Sequence, residues 1–323
     1  MLSPLVRALR ATGADLPFGD PAAGHPGVAL ESWFWRLTTA RRVVLLAVTA
    51  CNDADGEPWA SVTLAALQPD GSRFVRERSV DGVSVDPGRL AVAAGEGVLR
   101  ADADGLDVEL DADASLHVRF DAPWRWPRRS LGGLGLGHVV PRLTQYWHPH
   151  LLGAHVRGRA RLGGPTVRLD GATAYGEKNW GREGVPEAWW WGQAALRDDV
   201  VAAFAGGRLR AGPLRVPATA LAVRVGDELL SYAPPLASIR TRVDREGWAL
   251  DARDAATRVR IRATAPTAPF HLPVPVPAER RTELLSHQHE DGHLELTAWR
   301  GRRLLFRGAT GRAGLERGGS VGD

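Results

Sequence analysis

The sequence predicts an all-β protein: two antiparallel β-barrels in tandem, preceded by one short N-terminal helix. Three observations carry that expectation. Stretches of period-two or uniformly apolar pattern, punctuated by Gly, Pro, Asp and Asn, run nearly the length of the chain. The chain also parallels itself. The hairpin from His155 through Gly171-Ala172-Thr173 matches one from His293 through Gly308-Ala309-Thr310, and the stretch from Gly105 to Pro123 matches that from Gly247 to Pro266. Finally, 323 residues are ample for two apolar cores. Two such strand series read most simply as closed or nearly closed barrels, because closure removes sheet edges. A single long sandwich or a propeller fragment would carry the same local patterns.

In order, Met1 to Arg10 reads as the helix. Ser3 can cap it, Pro4 sits at its first position, and Leu2, Leu5, Val6 and Leu9 recur at helical spacing. Arg7 and Arg10 occupy the remaining surface, which could touch a membrane periphery. Docking on the protein is the favoured role, because ten residues bury little by themselves. A Pro/Gly-rich lead from Pro17 to Gly27 follows. The strand patterns then run Val43 to Ala50, Trp59 to Leu67, Leu106 to Leu110, Ser115 to Phe120, His155 to Leu162, Val167 to Tyr175, Val200 to Phe204, Trp248 to Ala252, Arg258 to Ala263, His293 to Trp299 and Arg302 to Phe306. Their grouping divides the chain into a lead-in (1–27), a first barrel (28–187) and a second barrel (188–323).

Composition narrows the function. The formal charge is +4, from 41 basic and 37 acidic residues, and the basic ones alternate with apolar ones instead of clustering. That is a solvated sheet face and not a nucleic-acid footprint. A single cysteine, Cys51, excludes an internal disulfide and fits a reducing compartment. No window is apolar enough to span a bilayer and no signal-peptide core opens the chain, so a cytoplasmic protein is expected. The Gly-rich run from Leu131 to Gly137 does not open a helix after a strand and is no phosphate loop.

Ionisable and aromatic groups concentrate in one stretch, Ala174 to Ala194, AYGEKNWGREGVPEAWWWGQA. Read as a strand continuous from Val167, alternation puts Val167, Leu169, Thr173, Tyr175 and Glu177 on a buried face, and Arg168, Asp170 and Lys178 on a solvent face. A carboxyl forced inward either takes up a proton or finds partners, and a neutral Glu facing an apolar interior is a Brønsted acid. A rim position, with Glu177 bridging Lys178 or Arg182, is the plainer alternative. The second copy lacks the tyrosine and the acid at matched offsets, which favours a functional role for the first.

The motif YGEKNWG, then Val185-Pro186, then WWWGQA resembles the signature of the tocopherol cyclase-like family. Upstream, Glu31-Ser32-Trp33-Phe34-Trp35-Arg36 resembles that family's first-strand motif, with Ser32 and Phe34 where the family more usually has Gly and Tyr. Arg302 to Gly319 resembles its closing hairpin. The resemblance implies a tandem lipocalin-like fold and an enzyme that closes a prenylated hydroquinone to a chromanol. In distantly similar carotenoid hydratases, which add water to an alkene, a tyrosine and an acid two residues apart form the acid site with an upstream histidine. Those positions match Tyr175, Glu177 and His148. The acid is Glu in place of the hydratases' Asp.

The residues themselves suit electrophilic alkene chemistry: a buried acid, a phenol and indoles, without a nucleophile elbow. A carboxylic acid protonates a trisubstituted alkene, aromatic faces hold the tertiary cation, and a phenol oxygen or water adds where bulk water is excluded. The expected catalytic set is Glu177 as proton donor, tuned by Tyr175 and by His148 or its neighbour His150. The expected substrate-binding set is Trp33, Trp35, Asn179, Trp180, Trp189, Trp191 and Gln193, with Phe34 and Trp190 facing away. No cofactor and no metal are expected, and the partner is a lipophilic small molecule. Two competitors are a non-catalytic double lipocalin carrying a lipid or pigment, and a metal protein built on His287, His289 and His293.

Overall fold

The computed structural model describes residues 3–182, 186–211, 214–245, 247–265 and 268–319. Met1 and Leu2 of the expected helix, Val185 of the central motif and Pro266 of the second hairpin lie outside the described residues. The fold is all-β, two large antiparallel lipocalin-like sheets after one short helix.

The duplication is visible in the hydrogen bonding. In the first sheet the strands Pro58–Leu67, Val43–Asn52, Leu30–Thr38, Thr173–Gly181, His155–Leu162, Ala114–Asp121 and Gly105–Asp111 lie side by side in that order. In the second the order is Leu214–Val225, Val200–Ala211, Ala188–Arg197, Arg303–Gly319, Arg281–Arg300, Thr257–Thr264 and Gly247–Arg253, each the counterpart of the strand above. Both sheets roll up, but neither closes by hydrogen bonding. Arg73–Asp81 and Ser84–Val85 remain as edges of the first, Glu228–Tyr232 and Ser238–Asp244 as edges of the second. Charge protects the open edge at Arg73–Asp81, where Arg73, Arg76, Glu77, Arg78 and Asp81 would oppose pairing with another chain.

Each sheet wraps an apolar core. Trp33, Trp35, Leu46, Val62, Leu106 and Leu116 fill the first, and Phe204, Leu221, Trp248, Ile261 and Leu296 the second. A third cluster, with Trp147, Tyr175, Trp191, Val201 and Ala220, lies between the outer faces of the two sheets. The central strands are therefore covered on both sides, which alters the reading of Thr173–Gly181. Lys178, expected in solvent, is fully buried. Its Nζ donates to Ala23 O at 2.6 Å and His25 Nδ1 at 2.8 Å, pairs with Glu31 at 2.7 Å, and lies 4.8 Å from the ring centres of both Trp33 and Trp180.

Parity also fails to run through from Val167. The chain turns at Asp170-Gly171, and Leu169, Ala172 and Ala174 share the first sheet's core while Tyr175 faces the second sheet. Glu177 is buried because the second sheet covers it, and not because it points into the first.

The helix spans Pro4–Arg10, with the Ser3 hydroxyl accepting from Val6 N–H. Its docking reverses the expected face: Leu5 is 80% exposed, whereas Arg10 is buried. Arg10 pairs with Asp15 at 2.9 Å and donates to the carbonyls of Asp20, Gly24 and Pro87. No helix among the described residues is long and apolar enough to cross a membrane.

Arg36 ties the sheets together. From the first sheet it donates to Glu290 at 2.6 Å, to the carbonyls of Glu290 and Arg312, and to Gln193, all in the second.

Candidate active site

Between the sheets lies a cavity of about 230 Å³. One wall is the outer face of the first sheet, with Ser32, Phe34, Ala47, Thr49, Thr63, Glu177 and Asn179. The other is the outer face of the second, with Trp189, Trp191, Ala205, Ser286, Gln288 and Glu316. Leu134, Leu209, Pro273 and Val274, each half-buried, complete the lining. The lining is mainly apolar, and two carboxyls face it.

Glu177 is 2% exposed and receives four donors. Tyr175 Oη–H donates to its Oε2 at 2.5 Å, Trp147 Nε1–H at 2.8 Å and Trp191 Nε1–H at 2.7 Å, while Asn179 Nδ2–H donates to Oε1 at 2.9 Å. Local folding explains each placement. Tyr175, Glu177 and Asn179 alternate along one strand and so share a face. Trp147 stands opposite Asn179 on the neighbouring Tyr146–Leu151 strand, and Phe34 stands opposite Glu177 on Leu30–Thr38. Gly176 between the tyrosine and the acid has no room for a side chain, since a Cβ there would meet His150 at 2.5 Å and the Trp35 indole at 2.9 Å.

Two opposing effects set the acidity of Glu177. Burial pushes its carboxyl above the ordinary value, because the charged form is desolvated, while the four donors favour the ionised form and pull it down; burial wins. Burial and the adjacent Glu177 push the Tyr175 phenol well above its usual value, so it stays a neutral donor. The donors are also unevenly shared. Oε2 accepts three, whereas Oε1 accepts one among the described residues, so Oε1 is the oxygen with a lone-pair site left for a proton. A neutral acid there becomes, once its proton leaves, a carboxylate already solvated by four fixed donors.

The structure disperses the other expected site residues. Trp189 and Trp191 line the cavity with Asn179. Trp33 and Trp35 do not, for they point into the first sheet's core, and Phe34, expected to face away, lies on the cavity wall. Trp180 is on the Lys178 side, stacked on Tyr146 at 5.3 Å and on His25 at 4.4 Å, with its Nε1–H on Gly13 O. His148 stands opposite Lys178, packs against Trp126 and His138, and accepts from Gly133 N–H at 3.3 Å, so it does not reach the acid. His150 is buried against Trp35. Gln193 is buried beside Arg36 in the clamp between the sheets.

Strand parity explains the exchange of His148 for Trp147. Adjacent residues point to opposite sides, and the side of Tyr146–Leu151 that meets Glu177 carries Trp147.

Sequence reasoning also missed Glu316. The Trp189 Nε1–H donates to its Oε1 at 2.7 Å, and the residue stands opposite Trp191 as Glu177 stands opposite Phe34. The structural register therefore equates Phe34 with Trp191, one position from the match that equates the tryptophan triplets. The second copy does keep an acid, two residues later than expected, beyond register shifts that follow His289 and Gly292. Burial pushes this carboxyl up as well, Trp189 and Ser286 pull it down, and Glu177 raises it further. As for a metal, among the described residues no group of three or more His, Cys, Asp or Glu is placed to hold one, and the His287 ring packs against His271 at 4.8 Å.

The profile of the tocopherol cyclase-like family matches residues 138–319, more than half of the chain and the whole of the acid strand. The chain belongs to the tocopherol cyclase-like family. No curated protein matches the sequence significantly. Among solved structures, kievitone hydratase from Nectria haematococca is similar at a TM-score of 0.56 and 11% identity over 93% of this chain and 91% of that one. CghA bound to Sch210972 is similar at 0.61 and 13%, over 92% and 90%. CghA alone gives 0.60 and 14% over the same shares. At these identities the likeness is one of fold. Membership of the family supports an enzyme that modifies a lipophilic isoprenoid, and the solved structures add the fold.

Proposed function

We propose that the protein is a cofactor-free cyclase that protonates an alkene of a prenylated quinol and closes a ring by addition of the phenol oxygen. The observation that carries this reading is the Glu177 carboxyl, held by four donors at the wall of an apolar cavity. Burial favours its neutral, proton-carrying form, and the donors stabilise the carboxylate formed as the proton departs. The proton on Oε1 passes to the less substituted alkene carbon, and a tertiary cation forms on its neighbour. Trp191, Trp189 and Phe34 offer ring faces to that cation, an interaction worth about 2 kcal/mol or more per ring when desolvated. The phenol oxygen of the same molecule then forms the new C–O bond. The cavity suits a reacting head group, with the prenyl tail leaving past Leu134 and Leu209.

A hydratase reading has one specific support, the fold shared with an enzyme named for adding water. The product separates the readings. Geranyl hydroquinone, incubated anaerobically with the purified protein in micelles, should give a chromanol of unchanged mass; a hydratase gives a product heavier by one water. Recovery of unchanged geranyl hydroquinone, equally with wild type and Glu177→Gln, would leave a binding protein and remove the catalytic reading.

A further inference from the structure

The second carboxyl carries an inference that rests on the reading above and deepens it. Trp189 and Trp191 are alternate residues of one strand, share a face, and each gives its indole N–H to a different acid. Trp191 donates to Glu177 at 2.7 Å and Trp189 to Glu316 at 2.7 Å. Alternate residues on a strand are about 7 Å apart, and the Glu316 carboxyl lies near enough to Glu177 to feel its charge. Both carboxyls line the same cavity, one from each sheet, at corresponding positions of the duplicated fold.

Their surroundings differ in a way that assigns roles. Glu177 has a phenol, an amide and two indoles around it, and its strand neighbours exclude solvent. Glu316 has one indole on Oε1, with Ser286 and its cross-strand partner Gln288 beside it, and part of its surface remains accessible. Glu316, half-buried where Glu177 is 2% exposed, is the one of the two that can exchange a proton with water.

We propose that Glu316 is the general base of the reaction, paired with Glu177 as the general acid. Glu177 gives its proton to the alkene carbon and becomes a carboxylate. The phenol oxygen forms its bond to the tertiary carbon, and its proton passes to the Glu316 carboxylate. One proton has entered the substrate and one has left it, so the product is an isomer. After product departure Glu316 releases its proton to water and Glu177 takes one up.

Two measurements on the intact chain test this. Infrared titration of the protonated carboxyl stretch in wild type, Glu177→Gln and Glu316→Gln reads coupling without any substrate. The Glu177 midpoint should fall by about one pH unit in Glu316→Gln, because a neighbouring negative charge is gone. An unmoved midpoint overturns the proposal. Turnover of geranyl hydroquinone is the second measurement. Glu316→Gln should lose about 10²–10⁴-fold in kcat with the acidic limb of its pH profile abolished. Glu316→Ala should regain activity on addition of formate, which a purely structural role would not permit. Full kcat in Glu316→Gln beside a dead Glu177→Gln overturns the base and leaves the cyclase reading standing. No turnover by wild type removes the cyclase reading and, with it, the base. Should Glu316→Gln not fold, the formate response and the Glu177 midpoint of Glu316→Ala decide the question.

Discussion

Replacing Trp191 by Phe removes one of the four donors to Glu177 while leaving an aromatic ring. The indole N–H reaches Oε2 at 2.7 Å, and the ring meets Phe34 edge-on at 5.4 Å, a contact that phenylalanine can keep. A hydrogen bond to a charged group contributes about 1.5–3 kcal/mol, and here it favours the carboxylate over the acid. Its loss therefore raises the Glu177 pKa by about 1–2 units. Two effects follow, with opposite appearance. The acid becomes weaker, so kcat on the acidic plateau falls by up to about 10–100-fold. The acid also stays protonated to higher pH, so the alkaline limb of kcat moves upward by the same 1–2 units, about the size of the lost bond. A pH series of geranyl hydroquinone turnover, with thermal unfolding to confirm the fold, reads both. A fall in kcat with the alkaline limb fixed or moved downward would refute the reasoning, because it would mean the indole packs against the acid without tuning it.

Other consequences follow from the same geometry. Burial lowers the pKa of His25 and His150 to about 3, of His138 to about 4, and of His148 well below 6.5. The unfolded chain takes up these protons near 6.5 and the folded one does not, so folding stability drops as pH falls from about 6.5 toward 4, by up to about 1.4 kcal/mol per unit for each ring. Glu290, pushed up to about 7, and Glu177 and Glu316, pushed up as well, oppose this slope over part of the range. The test is therefore the difference between wild type and His138→Phe in denaturant titrations at a series of pH values. The variant should lose stability less steeply below pH 6.5, and equal slopes would contradict the assignment. Arg36→Met strands the buried Glu290 carboxylate and should cost about 3–5 kcal/mol in guanidinium unfolding, most of it recovered by adding Glu290→Leu. His148→Gln should leave the pH profile of turnover unmoved, since that ring lies on the Lys178 side of the strand.

The strands, the duplication and the acid motif were legible in the sequence because each is a local pattern. What the sequence hid was which side of a strand meets what. Alternation separates the two faces of Thr173–Gly181, but it cannot show that both are covered; hence Lys178 was expected in water and lies against Trp33 and Trp180. The turn at Asp170-Gly171 breaks the parity carried from Val167, and a shift of one residue in the match of the two copies exchanged faces, placing Trp33 and Trp35 in the pocket in place of Phe34. Trp147 and Glu316 have no local mark that separates them from ordinary strand residues. They belong to the site through pairing across strands and across sheets, and the triplet Trp189-Trp190-Trp191 hands one indole to each acid only because its odd members share a face.

The central claim is that Glu177 delivers a proton to carbon. Turnover of geranyl hydroquinone in deuterated water, with the product read by NMR, tests it most directly. The account predicts a single deuterium, on one face, at the ring carbon next to the new carbon–oxygen centre, and its disappearance in Glu177→Gln. A chromanol without deuterium at that carbon, or one labelled equally in the variant, would contradict it.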